Sequence, residues 1–445
     1  MDNEQVIYGI LPHPTLKGKV FVQKENEEWC LPGTQVEEPI SPTVATREMS
    51  RLFGQPVVAY RYISISDNLQ VGRKEGIFLV DNLGSDQLTQ AGRWVSSDDL
   101  PNLPFKRLDH LEVIYNHCSE SEAADQPKFR RPWESSGWFA QATAWIEEAL
   151  RPLGLEVIAQ LEPMKWWSLS CVLRVPTNQG NVYFKVNAEQ PLFVDEAKFL
   201  QFMGKLYPER VPDVLAAEPH YGWMLSSDSG VSIRNSVSMG QKIELLRIFA
   251  GIQLDAINHV DELLEIGCAD RRADRHLPLI APLLDDELMT AQLTPEEISE
   301  LRKQMPKVAE MNKKLSEYAV PSTLLHGDLN LGNVTSSNGR LSFIDWTDAS
   351  VGHPFMDMFL IYDETDLTLQ AQLRDVYLEM WSGFEPMHRL QELWSLCEVM
   401  HAIHHAISYQ SILHHTEVRS RAELDDGPPF YLRKALRFLQ DQEVR

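Results

Sequence analysis

The dipeptide Asn338-Gly339 stands midway between two short polar clusters and constrains this chain more than any other pair. A type I′ turn needs positive φ at both central residues, which Asn and Gly tolerate, so the pair predicts a tight hairpin. Centring the turn there sets Asn333 opposite Ile344, beside Asp345. Before the hairpin runs His326-Gly327-Asp328-Leu329-Asn330-Leu331-Gly332-Asn333, and after it Phe343-Ile344-Asp345-Trp346. An amide oxygen and a carboxylate at the open end of one hairpin suit Mg²⁺, which takes a few oxygen ligands plus phosphates. A separate carboxylate, Asp328, can accept the proton of an attacking hydroxyl. The spacing therefore predicts phosphoryl-transfer chemistry, with Asp328 catalytic and Asn333 and Asp345 as metal ligands. The competing reading, a polar loop before an ordinary hairpin, leaves the joint spacing of five residues unexplained.

Composition narrows the class. At 445 residues the chain has room for two or three domains, each with its own core. Its 43% hydrophobic and 24% charged content is that of a soluble globular protein, and no apolar run is long enough to span a bilayer. The amino terminus shows no secretory signal pattern. Cys30, Cys118, Cys171, Cys268 and Cys397 are widely spaced and odd in number, which predicts reduced thiols in a cytoplasmic protein. A net charge of −23 argues against nucleic-acid or anionic-membrane partners, which select for basic patches. It is compatible with a cationic acceptor, and equally with acidity that only keeps the protein soluble.

Along the chain, strand-like runs at Val6–Leu11, Lys19–Gln23, Val57–Ser66 and Gly76–Val80 surround one helix, Ser41 to Phe53. Ser41 is its expected cap, Pro42 suits the first turn, and Gly54 ends it. The stretch Cys118–Arg131 is polar and aperiodic and reads as a linker. A helix at Trp138–Leu150, strands at Ser170–Val175 and Asn181–Val186, a helix near Val194–Leu206 and a strand at His220–Leu225 follow. From Gly240 onward helical patterns dominate. Lys185 lies inside an aromatic and aliphatic strand, where a lone ammonium is costly without a partner. Glu196 on the next helix is the candidate, with Glu189 and Asp195 as competitors.

With these residues in hand, the second part of the chain resembles the aminoglycoside phosphotransferase and choline kinase-like family. His326-Gly327-Asp328 with Asn333, Ile344-Asp345-Trp346, and Gly352-His353-Pro354 leading to Asp357 carry the likeness, over about Trp133 to Arg445. Lys185, Glu196 and Trp223-Met224-Leu225 fit the same plan, as does Gly267-Cys268-Ala269-Asp270-Arg271 after a helix containing Gln253. The resemblance implies a two-lobed kinase-like fold and ATP- or GTP-dependent phosphorylation of a small-molecule hydroxyl. By it, Asp328 is the catalytic Asp, Asn333 and Asp345 bind Mg²⁺, Lys185 and Glu196 serve the nucleotide, and Asp357 braces the catalytic loop. The loop Met164–Ser170 lacks glycine, so the Gly-rich loop of protein kinases is absent, and backbone amides or the hydroxyls of Ser168 and Ser170 are the candidates to cover the phosphates. No long activation segment follows Asp345, which favours a small acceptor over a protein. His401 and His405 share a helix face at a spacing metals use, but a packed or solvated face is the better reading.

Residues 5–115 resemble the Nudix hydrolase family through Trp29-Cys30-Leu31-Pro32-Gly33 and Arg47-Glu48-Met49. The family's later Glu positions hold Arg51 and Leu52, and Pro39 replaces an earlier one. One carboxylate is a poor Mg²⁺ site, so this part is expected to be non-hydrolytic. The expected fold class is α+β, a two-lobed protein-kinase-like fold after a small Nudix-like α/β domain. The expected boundaries are 1–118 Nudix-like, 119–132 linker, 133–228 first lobe and 229–445 second lobe. The expected function is nucleotide- and Mg-dependent transfer of the γ-phosphate to an aminoglycoside, amino alcohol or sugar-like hydroxyl. The alternative is a catalytically idle nucleotide-binding or regulatory protein. The cofactors expected are ATP or GTP and Mg²⁺. The partner is a small-molecule acceptor, with no nucleic acid and no membrane, and homo-oligomerisation is left open.

Overall fold

The computed structural model describes residues 4–68, 73–84, 88, 91–122, 127–234 and 237–444. The chain forms two compact units, Met1–Ala188 and Glu189–Arg445. The first contains β1 (Glu4–Ile10), β2 (Lys19–Glu25), β3 (Glu28–Cys30), β4 (Gly33–Val36), α1 (Pro42–Phe53), β5 (Val57–Asn68), β6 (Arg73–Asn82) and β7 (Gly92–Ser96). It continues with α2 (Leu108–Glu122), α3 (Trp138–Leu150), β8 (Glu162–Trp166), β9 (Ser170–Thr177) and β10 (Gly180–Asn187). The second opens with α4 (Glu196–Leu206), β11 (Val214–Glu218), β12 (Trp223–Ser227), β13 (Val231–Ser232), α5 (Met239–Ala256), α6 (Val260–Glu265), β14 (Ala269–Asp270) and α7 (Ala273–Ile280). It goes on through α8 (Glu287–Thr290), α9 (Pro295–Lys314), β15 (Thr323–Leu325), β16 (Val334–Ser337), β17 (Arg340–Phe343) and β18 (Ser350–Gly352). It ends with α10 (Phe359–Tyr362), α11 (Leu367–Glu379), α12 (Met387–His414) and α13 (Gly427–Val444).

In the first unit one sheet has the order β4-β1-β6-β5, with β1 parallel to β6, and a second has the order β3-β2-β7. Helix α1 forms where its caps predict. Ser41 Oγ accepts from Val44 N at 3.3 Å, and Gly54 at φ +66° donates its N–H to Arg51 O. Its apolar face, Val44, Ala45, Met49 and Phe53, packs on Ile7, Val57, Phe78 and Val80. Each large side chain so buried contributes roughly 1.5–3 kcal/mol.

The same unit carries the antiparallel meander β8-β9-β10. Hydrogen bonds join it and α3 to the preceding sheets. The Trp166 indole donates to Tyr60 O at 2.6 Å, and Asp81 accepts from Ser136 Oγ and Gly137 N, both at 2.6 Å. The compact units divide at 188/189. The expected linker begins as helix, since α2 continues to Glu122, and Ala123, Ala124, Asp125 and Gln126 lie outside the described residues. Local polarity did not stop the helix.

In the second unit β11 pairs with β12, and two three-stranded sheets have the orders β13-β16-β17 and β14-β18-β15. The strand expected at His220–Leu225 starts only at Trp223, because Gly222 adopts φ +64° in the preceding turn. Helices α5 and α9 open on reciprocal capping boxes, Ser238 with Gln241 and Thr294 with Glu297. Helix α12 is buried from Cys397 to Ser408, as a helix with apolar residues on every side must be. No helix among the described residues is long and apolar enough to cross a membrane.

Candidate active site

Strands β16 and β17 pair in the register the Asn338-Gly339 dipeptide dictates. Val334 faces Phe343 and Ser337 faces Arg340. Asn338 and Gly339 adopt φ +51° and +79°, the positive values a type I′ turn requires. Ile344 N donates to Asn333 O at 3.0 Å, so Asn333 and Asp345 meet at the open end of the hairpin. Asp345 itself sits at φ +64°, a left-handed conformation that Asp tolerates better than most residues. Thr347 Oγ1 donates to its Oδ1 at 2.9 Å.

The loop before the hairpin bends Asp328 back onto it. Asp328 Oδ1 accepts from Asn330 Nδ2 at 2.9 Å, and Oδ2 accepts from Asn333 Nδ2 at 2.8 Å. An ionised carboxylate only accepts, so Asn333 must turn its NH₂ toward Asp328 and its Oδ1 away. That leaves one amide oxygen of the Asn333 side chain for a cation. His326 stitches the same loop to the far strand. Its Nδ1 accepts from Asp328 N at 3.3 Å, which puts the ring proton on Nε2, 3.0 Å from Ile344 O. The ring lies 4.3 Å from that of Trp346, which packs on Phe199 and Phe249.

Asp357 holds the loop from beneath. Its two oxygens accept the backbone N–H groups of His326 and Gly327. Burial pushes its carboxyl up to about 8, while these two bonds pull it back down. Gly327 is at φ +85°, and a Cβ there would collide with Asp348. Only glycine lets the chain pass at this point.

The remaining expected residues divide. Glu196 is buried and its Oε1 accepts from Trp346 N at 2.9 Å, so it anchors the turn that carries Asp345. Sequence reasoning gave it a nucleotide-side role and missed this contact. Lys185 lies in β10 opposite Val172, buried between Phe184 and Val186. Ser168 and Ser170 lie at the β8–β9 turn. Ser168 is fully buried, with its carbonyl bound by Arg131 Nε at 2.7 Å. Ser170 Oγ takes the Trp167 indole N–H at 2.9 Å inside the β8–β9 turn. On α12, His401 Nδ1 bonds Met356 O at 2.7 Å, and its ring stacks near Phe359 and Tyr362. Among the described residues no group of three or more His, Cys, Asp or Glu side chains is arranged to hold a metal, so that face is packed.

Comparison with known proteins decides the family. A model described as the phosphotransferase enzyme family matches residues 167–393, just over half of the 445-residue chain. The chain belongs to the phosphotransferase enzyme family. This phosphotransferase has a mixed helix-and-sheet architecture. The match begins at residue 167, so the Nudix resemblance read over residues 5–115 has no counterpart in it.

No curated protein sequence matches the chain. Among solved structures it is similar to choline kinase from Cryptosporidium parvum Iowa II, at 10% identity over 68% of this chain and 96% of that one, with TM-score 0.49. It is also similar to spectinomycin phosphotransferase in complex with ADP and spectinomycin, at 14% identity over 67% of this chain and 98% of that one, TM-score 0.45. A protein from Sinorhizobium meliloti 1021 described as an oxidoreductase matches at 20% identity over 28% of this chain, TM-score 0.24. The chain spans only 42% of that protein's length.

Proposed function

We propose that this phosphotransferase moves the γ-phosphate of ATP or GTP to a hydroxyl of a small aminoglycoside, amino alcohol or sugar-like acceptor. The observation that carries the reading is the pair of neutral amides, Asn330 and Asn333, on the Asp328 carboxylate. They fix the direction of its two oxygens.

Asp328 takes the proton of the acceptor hydroxyl while the oxygen bonds to the γ-phosphorus and the bond to the β-phosphate oxygen breaks. The nucleoside diphosphate leaves, and Asp328 later returns its proton to water. Such general-base work is worth roughly 10²–10⁴ in rate. The oxygens left by Asn333 and Asp345 fit Mg²⁺, a hard cation that prefers amide and carboxylate oxygen. When bound, the ion supplies positive charge against the phosphates. On the family resemblance alone, we assign Lys185 to the α- and β-phosphates.

The test is nucleoside diphosphate release by the full chain with MgATP and MgGTP, with and without alcohol acceptors. Asp328→Asn is expected to lose turnover by roughly 10²–10⁴ while nucleotide affinity stays within a few-fold. Normal turnover in that variant would remove Asp328 from the role of base.

A further inference from the structure

A second hollow adjoins the catalytic loop. It has a volume of about 310 Å³ and is lined by Arg234, Lys242, Asn330, Gly332, Asp363 and Glu364, together with apolar groups such as Phe359. Asn330 belongs both to this wall and to the grip on Asp328, 2.9 Å from its Oδ1. The hollow therefore opens beside the group that would take the acceptor's proton.

The wall itself carries two cations and two carboxylates, and Lys434 from α13 adds a third cation behind it. Lys242 Nζ pairs with Glu364 at 2.7 Å, and Lys434 Nζ pairs with Asp363 at 2.6 Å. Both carboxylates of the wall are thus matched by an ammonium. Arg234 makes no ion pair among the described residues, although carboxylates outnumber cations in the chain as a whole. Its side chain is exposed, but the segment that carries it is tied down. Ser232, two residues earlier, donates its hydroxyl to Leu331 O and Gly332 O at 3.3 and 3.2 Å. That ties the start of this segment to the catalytic loop. The guanidinium then occupies the space where a Cβ on Gly332 would stand, against Asn330 Oδ1.

We infer that Arg234 binds an anionic group, carboxylate or phosphate, on the acceptor itself, so that the preferred acceptor is an anionic alcohol. A planar guanidinium matches either oxyanion with two parallel N–H bonds. The matched ion pairs leave no free carboxylate in this wall to attract a cationic amine. The net charge of −23 is a global count and leaves the charge of the acceptor open. The inference rests on Asp328 being the base, and among the acceptors proposed for that site it favours a sugar-like hydroxyl compound bearing an anionic group over an aminoglycoside or amino alcohol.

Four alcohols of similar size test it: glycerate, glycerol 3-phosphate, glycerol and ethanolamine, each added to the full chain with MgATP or MgGTP. Glycerate or glycerol 3-phosphate is expected to accelerate nucleoside diphosphate release above both glycerol and ethanolamine. Arg234→Ala is expected to raise the KM for that anion by roughly 10–100-fold with kcat held within a few-fold, the loss of one charge-assisted pair. Arg234→Lys, which keeps the charge without the fork, is expected to fall between, and it serves if the alanine variant folds poorly. Ethanolamine or glycerol as the best acceptor, no stimulation by either anion, or an unchanged KM in Arg234→Ala would overturn the assignment. A fall in kcat alone would overturn it too, and would move Arg234 to the phosphoryl group in transfer. Basal nucleotide hydrolysis that does not depend on Asp328 defeats instead the phosphotransfer reading beneath it.

Discussion

Two carboxylates, one in each compact unit, sit among polar neighbours and have opposite fates. Glu48 on α1 faces two guanidiniums: Arg47 Nε at 2.8 Å and Arg51 Nη1 at 2.7 Å, both on the same oxygen. These bonds hold its carboxyl below the usual range. Asp328 accepts hydrogen bonds from two amides. A carboxylate gripped by two guanidiniums is held as an ion, because protonating it means breaking two ion pairs. The amides of Asn330 and Asn333 aim the Asp328 oxygens beside the hairpin.

Exchanging each acid for its amide is the widest test of that contrast. Asp328→Asn is expected to lose roughly 10²–10⁴ of turnover, while Glu48→Gln leaves phosphotransfer within about two-fold. Comparable losses in both, measured by nucleoside diphosphate release, would erase the distinction. Next in size, Gly327→Ala should destabilise the second unit by about 1–3 kcal/mol through the forced φ and the collision with Asp348. Denaturant midpoints followed by hydrogen exchange would show a fall confined to peptides of that unit. An unchanged midpoint would show that the loop yields freely.

Acid sharpens the comparison further. Burial lowers His276 and His353 to about 3, and His401, His404 and His405 well below the usual value. Unfolded histidine titrates near ~6.5. The stability these groups contribute is therefore fully present above that pH and is lost as pH falls toward 3. Asp357 acts with the opposite sign. Its contribution is fully present below about 4 and lost as pH rises through about 8. Five histidines outweigh one carboxyl below 6.5, so peptides from α12 should lose exchange protection between pH 7 and 5 before those of β1 and β6. Simultaneous loss would contradict the assignment. The smallest effect is on stability in Glu48→Gln, less than about 1 kcal/mol, since Arg51 of the pair is largely exposed.

The hairpin was legible before any coordinates because its information is local. Asn338-Gly339 fixes the turn, the turn fixes the register, and the register sets Asn333 beside Asp345. Helix α1 was legible for the same reason, through Ser41, Pro42 and Gly54. The bond from the Trp167 indole to Ser170 Oγ was not legible, because hydroxyl groups carry no address and only packing shows which neighbour meets them. The continuation of α2 to Glu122 escaped notice because polar residues extend a helix as readily as they end one.

The sequence by itself determined the turn chemistry, the helix caps and the identity of the oxygen donors, all properties of residues within a few positions of one another. Tertiary structure alone decided which of those donors meet. Glu196 reaches Trp346 across 150 residues, Asp357 supports His326 and Gly327 from 30 residues on, and Arg234 fills the space above Gly332. Such contacts depend on the shape of the packed core, and no local pattern in the chain encodes that shape.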